Sequence, residues 1–440
     1  MSVRAGSGSG GWTGAHRGLL LTAAAGLGCA AIALPRSLRA DSVWQPALPF
    51  TFCTTLDTVD VQAADNPWRQ LACAEPCAGT WQSCSAPDAG QDALGRPLRH
   101  VAFTVDGVAG MVRWNEPWPG QTSRAVVLLH GGGDGGDFED RHTEMWSKLQ
   151  ADGLTVAAIK WYTGVTDPYT GRALGWLARN GPEPHSHLRS TGRVAEVMRQ
   201  LDRGLVPPEA PFGVIGTSNG SLATVGAVAW HGLDPIVDWH FISSGNIPWD
   251  LGARCASRAN VWPETGFCEH DPELTCRDDA ACGKARSRCA WPHMDDGEAK
   301  QADYREASGS TTTAGASPMG KDCQEGRVTP AQLASSFVGT TVDLSWDHPA
   351  DFIVAEGGPA RGQRDDTADG FTWQMAQLYR HVEITHPLGK RWVDLDGLYH
   401  GQGSGHESAL PELACAVRRG LNLTPRCPGD RPERRGDTPP

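Results

Sequence analysis

The chain has 440 residues and a formal charge of −12, with 39 Lys and Arg against 51 Asp and Glu. Its 40% hydrophobic and 20% charged composition excludes wholesale disorder and suffices to bury a sizeable core. The acidic balance leaves no basic footprint for nucleic acid, and 13 cysteines point away from a reducing compartment.

Residues 1–40 hold Arg4, Arg17, Arg36 and Arg39 and no acidic residue, around an uncharged Leu- and Ala-rich run from Gly18 to Leu34. A basic start, an apolar run and a small residue at Ala33 or Ala40 read as a secretory signal peptide. An uncleaved anchor is the alternative, as is lipidation at Cys29 in Leu27-Gly28-Cys29. The remaining cysteines fall in three even clusters: Cys53, Cys73, Cys77 and Cys84; Cys255, Cys268, Cys276, Cys282, Cys289 and Cys323; Cys415 and Cys427. Even clusters suit locally closed disulfides of open connectivity. Zinc is disfavoured, because Cys73-x3-Cys77 is the lone close pair.

Residues 41–98 have poor periodicity and read as a disulfide-stapled extension of a larger domain at 99–430. Val101–Val105 and Gly110–Trp114 are short strand candidates around Asp106-Gly107, a hairpin turn signal. Ala125–Leu129 is a continuous apolar run, as a strand buried on both faces requires. A helix over Thr143–Ala151, a strand over Leu154–Ile159 and a helix over Thr191–Leu201 follow. Then come a strand at Phe212–Ile215, a helix at Ser221–Trp230 and a strand at Trp239–Ile242. Residues 255–345 form a cysteine-rich insertion with a low-complexity patch at Ser308–Ser317. The pattern resumes with the strand Asp351–Ala355, the helix Thr372–Tyr379, the strand Arg391–Leu395 and the helix Ala409–Arg419. Buried strands alternating with helices predict an α/β fold, a mostly parallel sheet with helices on both faces.

Two glycine-rich motifs stand at strand ends. Gly216-Thr217-Ser218-Asn219-Gly220 lies between a strand and a small-residue helix, the setting in which a tight turn lifts a serine nucleophile clear of a sheet. His130-Gly131-Gly132-Gly133 directly follows another strand, where backbone N–H groups of Gly131 or Gly132, joined by that of Asn219, could stabilise an oxyanion. A phosphate loop is disfavoured, since no Gly-Lys-Ser/Thr follows and Asp134 and Asp137 do.

In this order the two motifs resemble the α/β-hydrolase fold, over roughly residues 99–254 and 346–422. The resemblance implies a triad in the order serine, acid, histidine, with Ser218 as nucleophile. It places the acid after the strand at Asp351–Ala355, but the family's Gly-x-x-Asp is missing at the usual distance. Asp365 is the candidate if about five residues are inserted; Asp366, Asp369, Glu356 and Asp250 are the alternatives. It places the base after the last strand, at His400 in Gly397-Leu-Tyr-His400-Gly401 or, second, at His406.

The other signals are weaker. His185-Ser186-His187 lacks a partner spacing for a metal, and the 17 tryptophans mostly suit cores and rims. The expectation is therefore an exported or cell-surface serine hydrolase cleaving small-molecule or polymeric carboxylic esters without metal or organic cofactor. It meets a membrane only through an N-terminal anchor or lipid. A serine peptidase on the same fold and a catalytically silent scaffold are the rivals. The insertion is expected to cap the active site, with internal disulfides replacing a core it is too polar to build.

Overall fold

In a computed structural model of the protein, the described residues are 48–60, 69–92, 94–117, 120, 122–130, 143–162, 186–217, 219–243, 266–284, 287, 289–290, 345–354, 366–395 and 410–423. The chain divides into residues 1–38 and 39–440, and every described residue belongs to the second unit. The strands in chain order are β1 (Phe50–Asp60), β2 (Arg69–Cys77), β3 (Ala86–Gln91), β4 (Pro97–Val105), β5 (Val108–Asn115), β6 (Val126–His130), β7 (Thr155–Tyr162) and β8 (Phe212–Thr217). They continue with β9 (Trp239–Ser243), β10 (Gly266–Cys268), β11 (Asp271–Cys276), β12 (Cys289–Ala290), β13 (Ser345–Trp346), β14 (Ala350–Val354), β15 (Glu383–Ile384) and β16 (Lys390–Asp394). The helices are α1 (Trp81–Cys84), α2 (Thr143–Ala151), α3 (Ser186–Gly204), α4 (Asn219–His231), α5 (Asp366–His381) and α6 (Leu410–Gly420).

β6, β8, β9 and β14 are buried along their whole length, as the continuous apolar runs predict for strands covered on both faces. They join an 11-stranded sheet in the order β16-β14-β9-β8-β6-β7-β5-β4-β1-β2, with β3 on β4. From β16 to β7 every pairing is parallel; from β7 outward through β5 and β4 to β1 and β2 every pairing is antiparallel. That order, a parallel series from β7 to β16 beside an antiparallel series from β7 outward, is a large α/β sheet flanked by helices, as the resemblance implies.

The β4–β5 hairpin turns where the sequence signals it. Asp106 and Gly107 both have positive φ (50° and 72°), the type I′ geometry whose twist matches the flanking strands. One face of the sheet packs against α3, α4 and α5 through Val194, Met198, Leu222, Val225, Met375 and Leu378. The other packs against α2 and α6 through Met145, Trp146, Leu149, Leu413 and Val417.

Both cysteine-rich segments are stapled within themselves, as the even clusters predict. Cys53–Cys73 joins β1 to β2 and Cys77–Cys84 ties β2 to α1. This segment is continuous with the main sheet, because β1 pairs with β4. Its Trp81, 2% exposed, donates from Nε1 to Gln200 O of α3 at 2.6 Å, so the staple is also packed into the main core. In the insertion, β11, β10 and β12 form a three-stranded sheet crossed by Cys268–Cys282 and Cys276–Cys289. Its buried centre is made of these four half-cystines, so covalent bridges stand where a larger unit would have an aliphatic core. Cys415 is also disulfide-bonded; Cys255, Cys323 and Cys427 lie outside the described residues.

Candidate active site

The chain reverses its winding direction at β6. It leaves β6 for β7 on one side, then crosses back to β8 on the other. In an open parallel sheet the crossovers on either side of such a switch point diverge, leaving a crevice at the carboxyl ends of the two strands where ligands bind. Here those ends are His130 of β6 and Thr217 of β8, with His130 in register with Gly216. Gly131 and Ser218 are the next residues of each segment.

The β8–α4 junction is very short. β8 ends at Thr217 and α4 begins at Asn219, so Ser218 is the single residue between strand and helix. The helix returns so close to the strand that a Cβ at Gly216 would sit 2.8 Å from both Gly220 O and Ser221 Cα. Backbone atoms cannot yield as a side-chain tip can, so glycine is required there. Ser221 locks the turn: its buried hydroxyl shares one proton between Gly216 O and Ser243 O, each at 2.9 Å. Asn219 opens α4, where the first N–H groups have no partner within the helix and the dipole favours negative charge.

His130 is 1% exposed, and Trp161 Nε1 of β7 donates to its Nε2 at 3.1 Å. Nε2 therefore accepts, and the neutral ring carries its proton on Nδ1. The sequence reading stops the β7 strand at Ile159, short of Trp161, and so misses this contact. It also treats Ser221 as an ordinary helix residue, because a hydroxyl that bonds two neighbouring strand ends leaves no local signal.

Ser218, Gly131, Gly132, Asp365 and His400 lie outside the described residues, as do His406, Glu356 and Asp250. The strands that lead into them are described. β6, β8, β9, β14 and β16 run parallel and adjacent, so the segments at 131, 218, 244, 355 and 396 all leave the same carboxyl edge. Asp366 and Asp369 belong to the start of α5 and His187 to the start of α3.

Two groups among the described residues have metal-like geometry, Cys268/Cys276/Cys282 and Asp234/Asp347/His348. The cysteines are all disulfide-bonded. Asp234 is already engaged: its carboxylate accepts Asp347 N at 3.0 Å and pairs with His348 Nδ1 at 2.6 Å. That cluster precedes β9 and β14 and therefore lies at the amino edge, opposite the switch-point crevice.

No family model and no curated protein matches the chain. Among solved structures it is similar to a thermophilic and thermostable carboxylesterase cloned from a metagenomic library, at 14% identity over 76% of this chain and 92% of that one, with a TM-score of 0.42. It is similar to an esterase of Pyrobaculum calidifontis at 15% identity, covering 77% and 85%, TM-score 0.38. A bromoperoxidase from Bacillus anthracis aligns at 12% identity, covering 76% and 99%, TM-score 0.32. The fold rests on the strand order rather than on these likenesses.

Proposed function

We propose that the protein is an exported serine hydrolase that cleaves carboxylic esters. The observation that carries this reading is the β8–α4 junction: a lone serine between a buried strand and a helix, at the switch point of the sheet, where only glycine fits two residues earlier. In the reading, Ser218 attacks the ester carbonyl. His400 takes its proton and returns it to the leaving alcohol, while Asp365 orients the ring. The N–H groups of Gly131, Gly132 and Asn219 receive the oxyanion. Asn219 suits this role, since a helix N-terminal N–H is unclaimed by the helix itself. Export is supported by the basic-then-apolar start and by the described disulfides.

Labelling by a fluorophosphonate tests the nucleophile. Wild type should label and Ser218→Ala should not, with hydrolysis of a nitrophenyl ester falling by ~10³ or more in a folded variant. Equal turnover in the variant would remove the nucleophile assignment. His400→Ala should be inactive to a similar degree and His406→Ala largely active; the opposite result would transfer the base to His406. Activity should rise with pH as the histidine loses its proton, and a flat chemistry-limited profile would argue against a histidine base. Peptide anilides assayed beside the esters separate esterase from peptidase.

A further inference from the structure

A buried imidazole held neutral can take a second proton only if its surroundings part, so its position decides what acid moves. His240 is the second residue of β9 and wholly buried, with Val214 of β8 and Ala350 of β14 as register partners on either side. Thr224 Oγ1 of α4 donates to Ser221 O at 3.3 Å, so it accepts the proton of His240 Nε2 at 2.9 Å. His240 Nδ1 is then a bare acceptor, with no hydrogen-bond partner among the described residues. A proton added there would be a buried donor with no acceptor in place.

Trp346 and His348 close over this ring. Trp346 stacks on His348, and both lie about one ring-width from His240, at 5.6 and 6.1 Å between centroids. Trp346 Nε1 and His348 Nε2 are also buried and without a partner among the described residues, so neither grips His240 by a hydrogen bond. The wall they form is lightly attached. β13 pairs with β15 over two residues, Ser345 with Glu383 and Trp346 with Ile384, and Thr385 N adds one bond to Trp346 O at 2.9 Å. From the other side the Asp234 carboxylate accepts Asp347 N at 3.0 Å and pairs with His348 Nδ1 at 2.6 Å. β9 and β14, by contrast, are interior strands of the large sheet. With so few bonds of its own, the wall is the part of the cage that opens most readily.

Protons favour the open form at both ends of the wall. Burial, and after it the neighbouring His348, hold the His240 pKa well below its ordinary 6.5; α4, β8 and β14 present no charged group to it. His386, which follows β15, is lowered by burial, then by His348 and by Arg419 of α6, against an opposing pull from Asp238. Asp234 and Asp347 are the carboxylates at the wall itself. We propose that residues 345–349 together with β15 form an acid-opened flap over His240, which parts from β9 and α4 while the large sheet stays paired. The chain returns from the cysteine-rich insertion to β14 through this flap, so acid loosens that return without unpairing β14.

The test is amide hydrogen exchange of the full chain at about pH 7.5 and about pH 5.5, corrected for the pH dependence of unstructured amides. A ring with the ordinary histidine pKa in the open form makes opening about tenfold more frequent over that interval for each proton taken up. The amides of Asp347 and Thr385, both hydrogen-bonded across the closed flap, should therefore lose protection by ~10-fold or more at the lower pH. Those of β6 and β8 should keep theirs. His240→Phe leaves a ring in the cage without its titration, and should cut the acid effect by about tenfold. His386→Asn keeps an acceptor for Leu388 N and should cut it by a smaller factor; it decides the matter if His240→Phe does not fold. Protection at Asp347 and Thr385 that is equal at the two pH values, or that falls in step with β6 and β8, would overturn the proposal. So would an undiminished acid effect in folded His240→Phe or, failing that variant, in His386→Asn.

Discussion

At the scale of single residues, Gly216 and Ser221 shape the turn on which the proposed chemistry depends. A Cβ at residue 216 would meet the Thr224 hydroxyl at 2.4 Å and two backbone atoms at 2.8 Å. Gly216→Ala should therefore push α4 off β8, lowering stability by about 1–3 kcal/mol, as overpacking does. Esterase activity should fall more than stability explains, because the displaced helix carries Asn219. Thermal unfolding beside ester kinetics checks this, and an alanine variant with wild-type kcat would show that the turn has slack. The Trp161–His130 contact acts similarly on the other side of the crevice, fixing the ring that precedes Gly131.

At the scale of elements, β9 and the segment entering β14 enclose a group of stacked rings at the amino edge. Trp346 stacks on His348 at 5.2 Å, and His240 lies 5.6 Å from Trp346 and 6.1 Å from His348. His240 Nε2 is hydrogen-bonded to Thr224 Oγ1 of α4 at 2.9 Å. Complete burial, and secondarily the neighbouring His348, hold the His240 pKa well below its ordinary 6.5. His386 is lowered too, again chiefly by burial. Unfolding lets both rings take up a proton that the folded protein refuses. Stability should be full above about pH 6.5 and fall as pH drops below it. His240→Phe should flatten this dependence over that range when melting temperature is followed against pH. A wild-type melting temperature unchanged between about pH 7 and 5 would contradict the linkage.

At the scale of the whole molecule, the cystine-centred insert is docked where the chain approaches the proposed histidine. Trp392 Nε1 of β16 donates to Glu269 O at 2.6 Å, and Arg380 of α5 lies over the Phe267 ring at 5.0 Å. Lys284 reaches Asp394, the last residue of β16, at 3.5 Å. The insert therefore braces the strand that leads into residues 396–409. The cap role expected of this insert, excluding water and orienting a substrate, can be tested directly. Replacing residues 256–344 by a short linker should change the ratio of activity on long- and short-chain nitrophenyl esters. An unchanged ratio would reduce the insert to a surface decoration. Among the described residues no helix is long and apolar enough to cross a membrane.

The sequence by itself determined what is encoded locally. Apolar runs marked β6, β8, β9 and β14 because burial on both faces demands them, Asp106-Gly107 marked its hairpin because positive φ is cheap there, and the helix around Thr143–Ala151 was legible. Even cysteine clusters foretold local bridges, and Gly216–Gly220 marked a strand-to-helix turn. Only the tertiary structure decided which strands are neighbours, because pairing between distant segments is set by shared burial and leaves no periodicity to read. That decision put β7 and β8 on opposite sides of β6 and so made a switch point at the carboxyl ends of β6 and β8, which Gly131 and Ser218 follow in the chain. It also set Thr217 against Ser243, brought Trp161 to His130, and joined the stapled N-terminal strands to the sheet. The acid expected of the triad stays open in the sequence because carboxylates are plentiful after β9 and β14 and the family's short strand-to-acid spacing is missing.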